Sequence, residues 1–184
     1  ITKTIASVAP LDKTAMDAAR LRQAQLAKPP GSLGRLEELS IQLAGITGKV
    51  RNQIKKKHLL VFAADNGVVS EGVSSAPQSV TLQQAINLTR AKTGASTLCK
   101  HFGCDITVCD VGVNADIKDT KVLNRKIAYG TQNIIQGPAM TREQAMQAIA
   151  IGIELAMETE ADVIGIGEMG IGNTTTSAAV LSVL

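Results

Sequence analysis

Leu33, Leu36, Leu39, Leu43 and Ile46 recur at three- and four-residue intervals, the spacing that gathers side chains into one apolar stripe along an α-helix. The pattern predicts a helix that Ser32 can cap and that Gly48 ends. Ahead of it, Thr14 is followed three residues later by Asp17, a capping spacing that predicts an earlier helix running to about Ala27. Lys28-Pro29-Pro30-Gly31 stops that helix, because proline has no amide to donate and pushes its predecessor out of the helical region. Beyond residue 58 the pattern changes. Leu59-Leu60-Val61-Phe62-Ala63-Ala64 is short and apolar without alternation, as expected of a strand buried on both faces of a parallel sheet. The same pattern returns at Ile106-Thr107-Val108-Cys109 and at Val163-Ile164-Gly165-Ile166, and each return runs on into glycine and an acid. Between these strands lie helical stretches from Thr81 to about Lys92, Ser96 to about Phe102 and Thr141 to about Glu158. This alternation predicts an α/β fold, a doubly wound and mostly parallel sheet with flanking helices, whose ligand crevice lies at the carboxyl ends of the strands. Residues 1–50 are expected to form a small helical subdomain and residues 51–184 a Rossmann-like domain.

Composition narrows the function without naming one. The 184 residues suffice for one sizeable core. No run of about 18 apolar residues is present to span a bilayer, and the first residues lack the apolar core of a secretion signal, so the cytoplasm is the expected compartment. The formal charge of +3 leans on the single run Lys55-Lys56-Lys57, and aromatic residues make up 2% of the chain. Neither the basic face nor the stacking platforms of a nucleic-acid binder are there. Cys99, Cys104 and Cys109 match no zinc or thioredoxin-like spacing and are expected as reduced, partly buried thiols. His58 and His101 stand apart with no third partner, which argues against a metal site.

Three segments after strands carry the candidate chemistry: Asp65-Asn66-Gly67-Val68-Val69, Asp110-Val111-Gly112-Val113, and the stretch from Gly165 to Thr175. The third places Gly165, Gly167, Gly170 and Gly172 close together and then presents Asn173, Thr174 and Thr175, which can open a helix and turn backbone amides toward an anion. No lysine follows the last glycine, so it is no Walker loop, and Glu168 inside the run departs from the dinucleotide fingerprint. Spacing alone leaves two readings, a nucleotide site or a tight structural turn. Glu168, flanked by glycines, is placed either to hydrogen-bond a ligand or to sit solvated in a turn. Thr81 with Gln84 has the spacing of a capping box, the reading favoured on spacing alone, and Thr141 with Gln144 repeats it.

Taken together, Lys28-Pro29-Pro30-Gly31-Ser32-Leu33-Gly34-Arg35-Leu36-Glu37, Ala63-Ala64-Asp65-Asn66-Gly67-Val68, Glu71-Gly72-Val73, Pro77-Gln78-Ser79-Val80-Thr81 and Gly167-Glu168-Met169-Gly170-Ile171-Gly172-Asn173-Thr174-Thr175 resemble the nicotinate-nucleotide:dimethylbenzimidazole phosphoribosyltransferase family. The resemblance implies transfer of a phosphoribosyl group from nicotinate mononucleotide to 5,6-dimethylbenzimidazole or a related base, giving α-ribazole 5′-phosphate and nicotinate in cobamide biosynthesis, with no metal or cofactor. It implies that Glu168, Met169, Gly170, Ile171 and Gly172 line the base and nucleotide pocket, that Gln84 reaches the base, and that Asn173, Thr174 and Thr175 hold the nucleotide end. Asp65, Gly67 and Ala76 fall in matching motifs at the same site. Two departures stand out. The family's Asp-His-Gly reads Asp65-Asn66-Gly67, and Ala76 stands where relatives often carry Ser or Tyr, which leaves room for other bases, phenols included. Family members are about twice as long, and the glutamate that acts as their general base is expected beyond residue 184. The apolar helical pattern running to Ser182-Val183-Leu184 without a cap predicts an incomplete sheet, and the 184 residues alone are expected to be weak or inactive. The resemblance also implies a homodimer, or a heterodimer with a related chain. The alternative reading is a noncatalytic nucleotide-binding partner subunit, and an NAD-dependent oxidoreductase would need a fingerprint the chain lacks.

Overall fold

Asp12, not Thr14, opens the first long helix, because its side chain accepts a hydrogen bond from the Ala15 amide at 3.0 Å. In the computed structural model, which describes residues 1–184, the chain divides into two units, Ile1–Ile54 and Lys55–Leu184. The first unit holds α1 (Thr2–Ala6), α2 (Lys13–Gln25) and α3 (Arg35–Thr47). Helix α3 starts three residues after Ser32, with Gly34 at its cap position. No side chain caps α3; Glu37 in its first turn instead ties back the preceding segment, accepting from the Leu33 amide at 3.2 Å and from Lys28 Nζ at 2.6 Å. Gly48 ends α3 in the left-handed conformation, as the pattern predicts.

The two long helices close on small residues. Ala15, Ala19, Ala44 and Gly45 are the buried positions, and a side chain at Gly45 would run into Met16 at 2.8 Å. The leucine stripe lies elsewhere: Leu36 and Ile46 are each 63% exposed. Alanine-lined contact lets helix axes approach closely, so the periodic large residues of α3 are left on the unit's surface.

The second unit is a four-stranded, all-parallel sheet in the order β3-β2-β1-β4, built from β1 (Lys57–Ala64), β2 (Cys104–Gly112), β3 (Val122–Asn124) and β4 (Val163–Met169). Helices α4 (Val80–Leu88), α5 (Gly94–His101), α6 (Arg142–Glu158) and α7 (Asn173–Leu181) complete it. Val61, Ala63 and Val108 pack with Ala85 and Leu88 of α4 on one face, while Leu60 and Cys109 pack with Ile151 and Leu155 of α6 on the other. That two-sided burial is why the strands read as continuous apolar runs. Thr141 and Gln144 form the capping box expected at α6, and an unforeseen one, Thr93 with Ser96, opens α5. None of the helices is long and apolar enough to cross a membrane.

Two strands run further than the sequence suggests. Asp110-Val111-Gly112 lies inside β2 rather than in a loop, and Glu168 with Met169 ends β4. The pairing of β1 with β2 slips by one residue between Ala63 and Ala64, so that Ala64 faces Gly112. Bulges of this kind re-aim the chain at a strand end. From β1 the chain moves to β2 and β3 on one side and to β4 on the other, so the winding direction reverses between β1 and β4. A doubly wound sheet opens a crevice at such a point, outside the carboxyl ends of the two strands.

Candidate functional site

At the end of β4, Gly170, Ile171 and Gly172 make the turn into α7, and Gly172 adopts the left-handed conformation at φ 83°. The turn is seated on the end of β1. A side chain at Gly170 would collide with the Ala64 carbonyl oxygen and would meet Asn66 Nδ2 and Glu168 Oε1, each at 2.8 Å, so only glycine allows this approach. Thr81 secures it from the other direction: its fully buried hydroxyl accepts a hydrogen bond from the Ile171 amide at 3.1 Å. The capping reading of Thr81 and Gln84 is therefore corrected. Ser79 precedes α4 without a side-chain cap, Thr81 is spent on the glycine turn, and Gln84 is free to line a cleft.

That cleft runs between β4 and helices α4 and α5, and Gln84, Lys92, Gly94, Glu168, Met169 and Ile171 are among its walls. Lys92 supplies a cation there. A second, mostly apolar cleft on the α7 side is lined by Asn66, Met140, Thr176 and Val180, and Glu168 belongs to it as well. Glu168 thus stands where the two clefts adjoin. Its Oε2 accepts a hydrogen bond from Asn173 Nδ2. Glu168 is exposed as a residue, yet the protein around its carboxyl removes enough water to push it above its ordinary value, and the Asn173 hydrogen bond pulls it part of the way back. A carboxyl so placed can exchange a hydrogen bond or a proton with a ring nitrogen.

The amides at the start of α7 are less available than the sequence suggests. Asn173 N–H donates to the Gly170 carbonyl at 3.1 Å and Thr175 N–H to the Gly172 carbonyl at 3.2 Å, so among these three only the Thr174 amide is left for an anion. Thr174 is exposed and Thr175 half-buried.

Several expected site residues make structural contacts of their own. Asp65 is buried and accepts from the Asn114 amide through Oδ2 at 2.7 Å, while its backbone bonds Gly112 and Thr131. Its Oδ1 is buried without a partner. Gly67 donates to Thr131 Oγ1 at 3.1 Å and packs so closely on residues 131–133 that a side chain would meet the Thr131 carbonyl oxygen at 2.5 Å. Ala76 sits in the loop before α4, its amide on Ser74 Oγ at 3.2 Å, and is not among the cleft residues. Asp110 is no ligand group either. Its Oδ1 accepts from the Gly112 and Val113 amides at 3.1 and 2.8 Å, and its Oδ2 pairs with Lys126 Nζ at 2.9 Å. His58 is satisfied by Thr107 Oγ1 at 2.9 Å, and burial pushes the Cys109 thiol up to about 11.

Sequence reasoning missed Lys92 and Thr176, and it placed Asn66 in a candidate segment without its role. Lys92 lies just past α4, where spacing carries no signal, and Thr176 reveals itself only through its contact with Asn66, its Oγ1 donating to Asn66 Oδ1 at 3.2 Å.

The phosphoribosyltransferase family profile matches residues 8–184. The chain is 48% identical over 185 residues to the nicotinate-nucleotide–dimethylbenzimidazole phosphoribosyltransferase of Clostridium tetani, covering 99% of this chain and 51% of that protein. The enzyme of the same name from Clostridium perfringens is 51% identical over 177 residues, covering 95% of this chain and 49% of its own length. The crystal structure of the nicotinate-nucleotide–dimethylbenzimidazole phosphoribosyltransferase of Thermus thermophilus superposes with a TM-score of 0.87 at 42% identity, over 92% of this chain and 52% of that one. The chain spans about half the length of the curated relatives it matches, and it belongs to the phosphoribosyltransferase family.

Proposed function

We propose that the cleft between β4, α4 and α5 serves the transfer of a phosphoribosyl group from nicotinate mononucleotide to a ring nitrogen of 5,6-dimethylbenzimidazole or a related base. The observation that carries the reading is the meeting of Glu168, Met169 and Gln84 with a glycine-rich turn at the switch point of the sheet. The bond from the ribose anomeric carbon to the nicotinate nitrogen breaks, and nicotinate keeps the electron pair. The lone pair of the unprotonated ring nitrogen forms the new bond, and the other ring nitrogen gives up its proton, yielding α-ribazole 5′-phosphate. Met169 and Gln84 hold the base, Glu168 orients it by hydrogen bonding, and Lys92 offers charge to the phosphate. The final proton acceptor is assigned, on the family resemblance, to a glutamate outside residues 1–184. Shielding the developing oxocarbenium from water is the task of the apolar walls. The working assembly is proposed as a homodimer, or a heterodimer with a related chain, in the cytoplasm.

The test mixes the chain with nicotinate mononucleotide and dimethylbenzimidazole, alone and with a full-length relative carrying an inactivating substitution. Nicotinate release by the chain alone, or release that requires both, supports transfer. No release in either mixture, together with no binding of nicotinate mononucleotide in calorimetry, overturns it. Phenol and p-cresol as acceptors test the breadth of base choice, and no product from either phenol restricts the acceptor to nitrogen bases.

A further inference from the structure

Asn66 lies two residues past the end of β1, at the switch point, and is 8% exposed. Both polar atoms of its side chain are spent on the segment after β4. Nδ2 donates to the Ile171 carbonyl at 3.1 Å, in the glycine turn, and Oδ1 accepts at 3.2 Å from Thr176 Oγ1, in the first turn of α7, a hydroxyl it shares with the Asn173 carbonyl at 3.0 Å. The residue is fixed from behind as well: its carbonyl accepts from the Val69 amide at 3.2 Å, and the neighbouring Gly67 is pinned to Thr131 Oγ1 at 3.1 Å. On the far side of the turn, Gly170 leaves room for Asn66 Nδ2 and Glu168 Oε1 together, since one added methyl would meet both at 2.8 Å.

We propose that Asn66 is the positioning residue of the site, a neutral two-point clamp that holds Gly170–Asn173 in the shape that presents Glu168 and Asn173 to the ligand. The nature of that ligand rests on the phosphoribosyl-transfer reading; the clamp itself does not. Residue chemistry explains the choice of an amide. The two contacts demand one donor and one acceptor on the same planar group, and an amide provides both without placing a charge beside Glu168. A carboxylate would only accept, leaving the Ile171 carbonyl opposed by an oxygen. A protonated carboxylic acid, nearly the same shape, would again donate and accept.

The experiment uses that difference. In the 184-residue chain without ligand, hydrogen–deuterium exchange is followed at the Ile171, Asn173 and Thr175 amides, whose hydrogen bonds hold the turn. After correction for intrinsic exchange, protection is read relative to the wild type at the same pH, 3.5 or 7.5. Asn66→Asp is expected to lose about tenfold protection at pH 7.5, the loss of one hydrogen bond and the gain of a repulsion, and to recover most of it at about pH 3.5, below the ordinary aspartate value of about 3.9. The ionisable groups facing this position are Asp65 next to it, Glu71 at the end of the following turn and Glu168 on β4, and the wild-type profile carries their contribution; Ile171 to Leu181 bring none. Unchanged protection in Asn66→Asp at both pH values overturns the clamp, and so does an equal loss at both, which would mean general damage. Should Asn66→Asp fail to fold, Asn66→Ser and Thr176→Val decide: wild-type protection in both overturns the proposal, and a greater loss in Asn66→Ser than in Thr176→Val supports it. Calorimetry with nicotinate mononucleotide separates the two readings. If the wild-type chain does not bind it while the exchange pattern follows expectation, the clamp stands and the transferase reading is what fails.

Discussion

Ile171 donates its backbone N–H to the hydroxyl of Thr81, 90 residues earlier in the chain, at 3.1 Å. The bond joins the second residue of α4 to the turn after β4, and Thr81 has no exposed surface. Replacing Thr81 with Val keeps the shape and deletes the acceptor, so the Ile171 amide is left without a partner in a half-buried place. The expected cost is about 1–3 kcal/mol. Thr81→Ser keeps the hydroxyl and loses one methyl, and is expected to cost about 1 kcal/mol. Urea denaturation of both variants checks this, and wild-type stability of Thr81→Val would show that the hydroxyl contributes nothing.

Lys126 and Asp110 make the most deeply buried ion pair of the chain, their side chains 11% and 2% exposed. Lys126 Nζ also donates to the carbonyls of Val113 and Ala115 and lies 4.7 Å from the centre of the Tyr129 ring. Removing the lysine strands a carboxylate that water cannot reach. Lys126→Met is therefore expected to destabilise by about 3–5 kcal/mol, far more than breaking an exposed pair such as Arg20–Asp17, where Arg20→Met is expected to cost less than about 1 kcal/mol. Thermal or urea denaturation side by side measures the contrast.

The sheet was legible because its strands are buried on both faces, which turns each into an apolar run, and because Thr141 with Gln144 is a true local cap. Local chemistry misled where a partner from elsewhere competes. Thr81 and Gln84 have cap spacing, yet the Ile171 amide claims the hydroxyl. Ser32 could cap α3, yet the turn after Pro29 runs on to Gly34, which takes the cap position in its place. Strand β3, at three residues, is too short for any period to appear. The glycine-rich segment and Glu168 were visible as candidate chemistry, whereas the burial of Asp65 and the clamp of Asn66 on Ile171 depend on contacts over 49 and 105 residues that no spacing encodes.

Gly170 and Gly152 should respond in opposite directions to the same methyl group. At Gly170 it would strike the Ala64 carbonyl oxygen and crowd Asn66 and Glu168, so Gly170→Ala is expected to cost about 1–3 kcal/mol or more and to loosen the turn. Gly152 lies inside α6 with nothing within 4 Å of the added carbon. Gly152→Ala is expected to stabilise by about 0.5–1 kcal/mol through helix propensity. Denaturation midpoints of the two variants against the wild type are the measurement.

Glu168 sets a pH dependence whose sign follows from its environment. Burial raises its folded value above the ordinary 4.5, so between 4.5 and that raised value the native chain binds more protons than the unfolded one. Stability contributed by this residue is thus fully present below pH 4.5 and falls as pH rises through the folded value. Above that value it stays at a constant deficit. Glu168→Gln removes the charge and keeps an oxygen able to accept from Asn173 Nδ2. The variant is expected to be more stable than the wild type at pH 8, by a few tenths of a kcal/mol because the residue keeps contact with solvent, and the advantage should vanish below pH 4.5. The same substitution is expected to weaken binding of the base, since a neutral amide replaces the carboxyl that orients its nitrogen. A stability gain at pH 8 paired with a loss of base affinity is the signature of a group kept partly desolvated for its ligand rather than for the fold. Equal stability of variant and wild type across pH 4 to 8 would place Glu168 in free solution and remove it from the site.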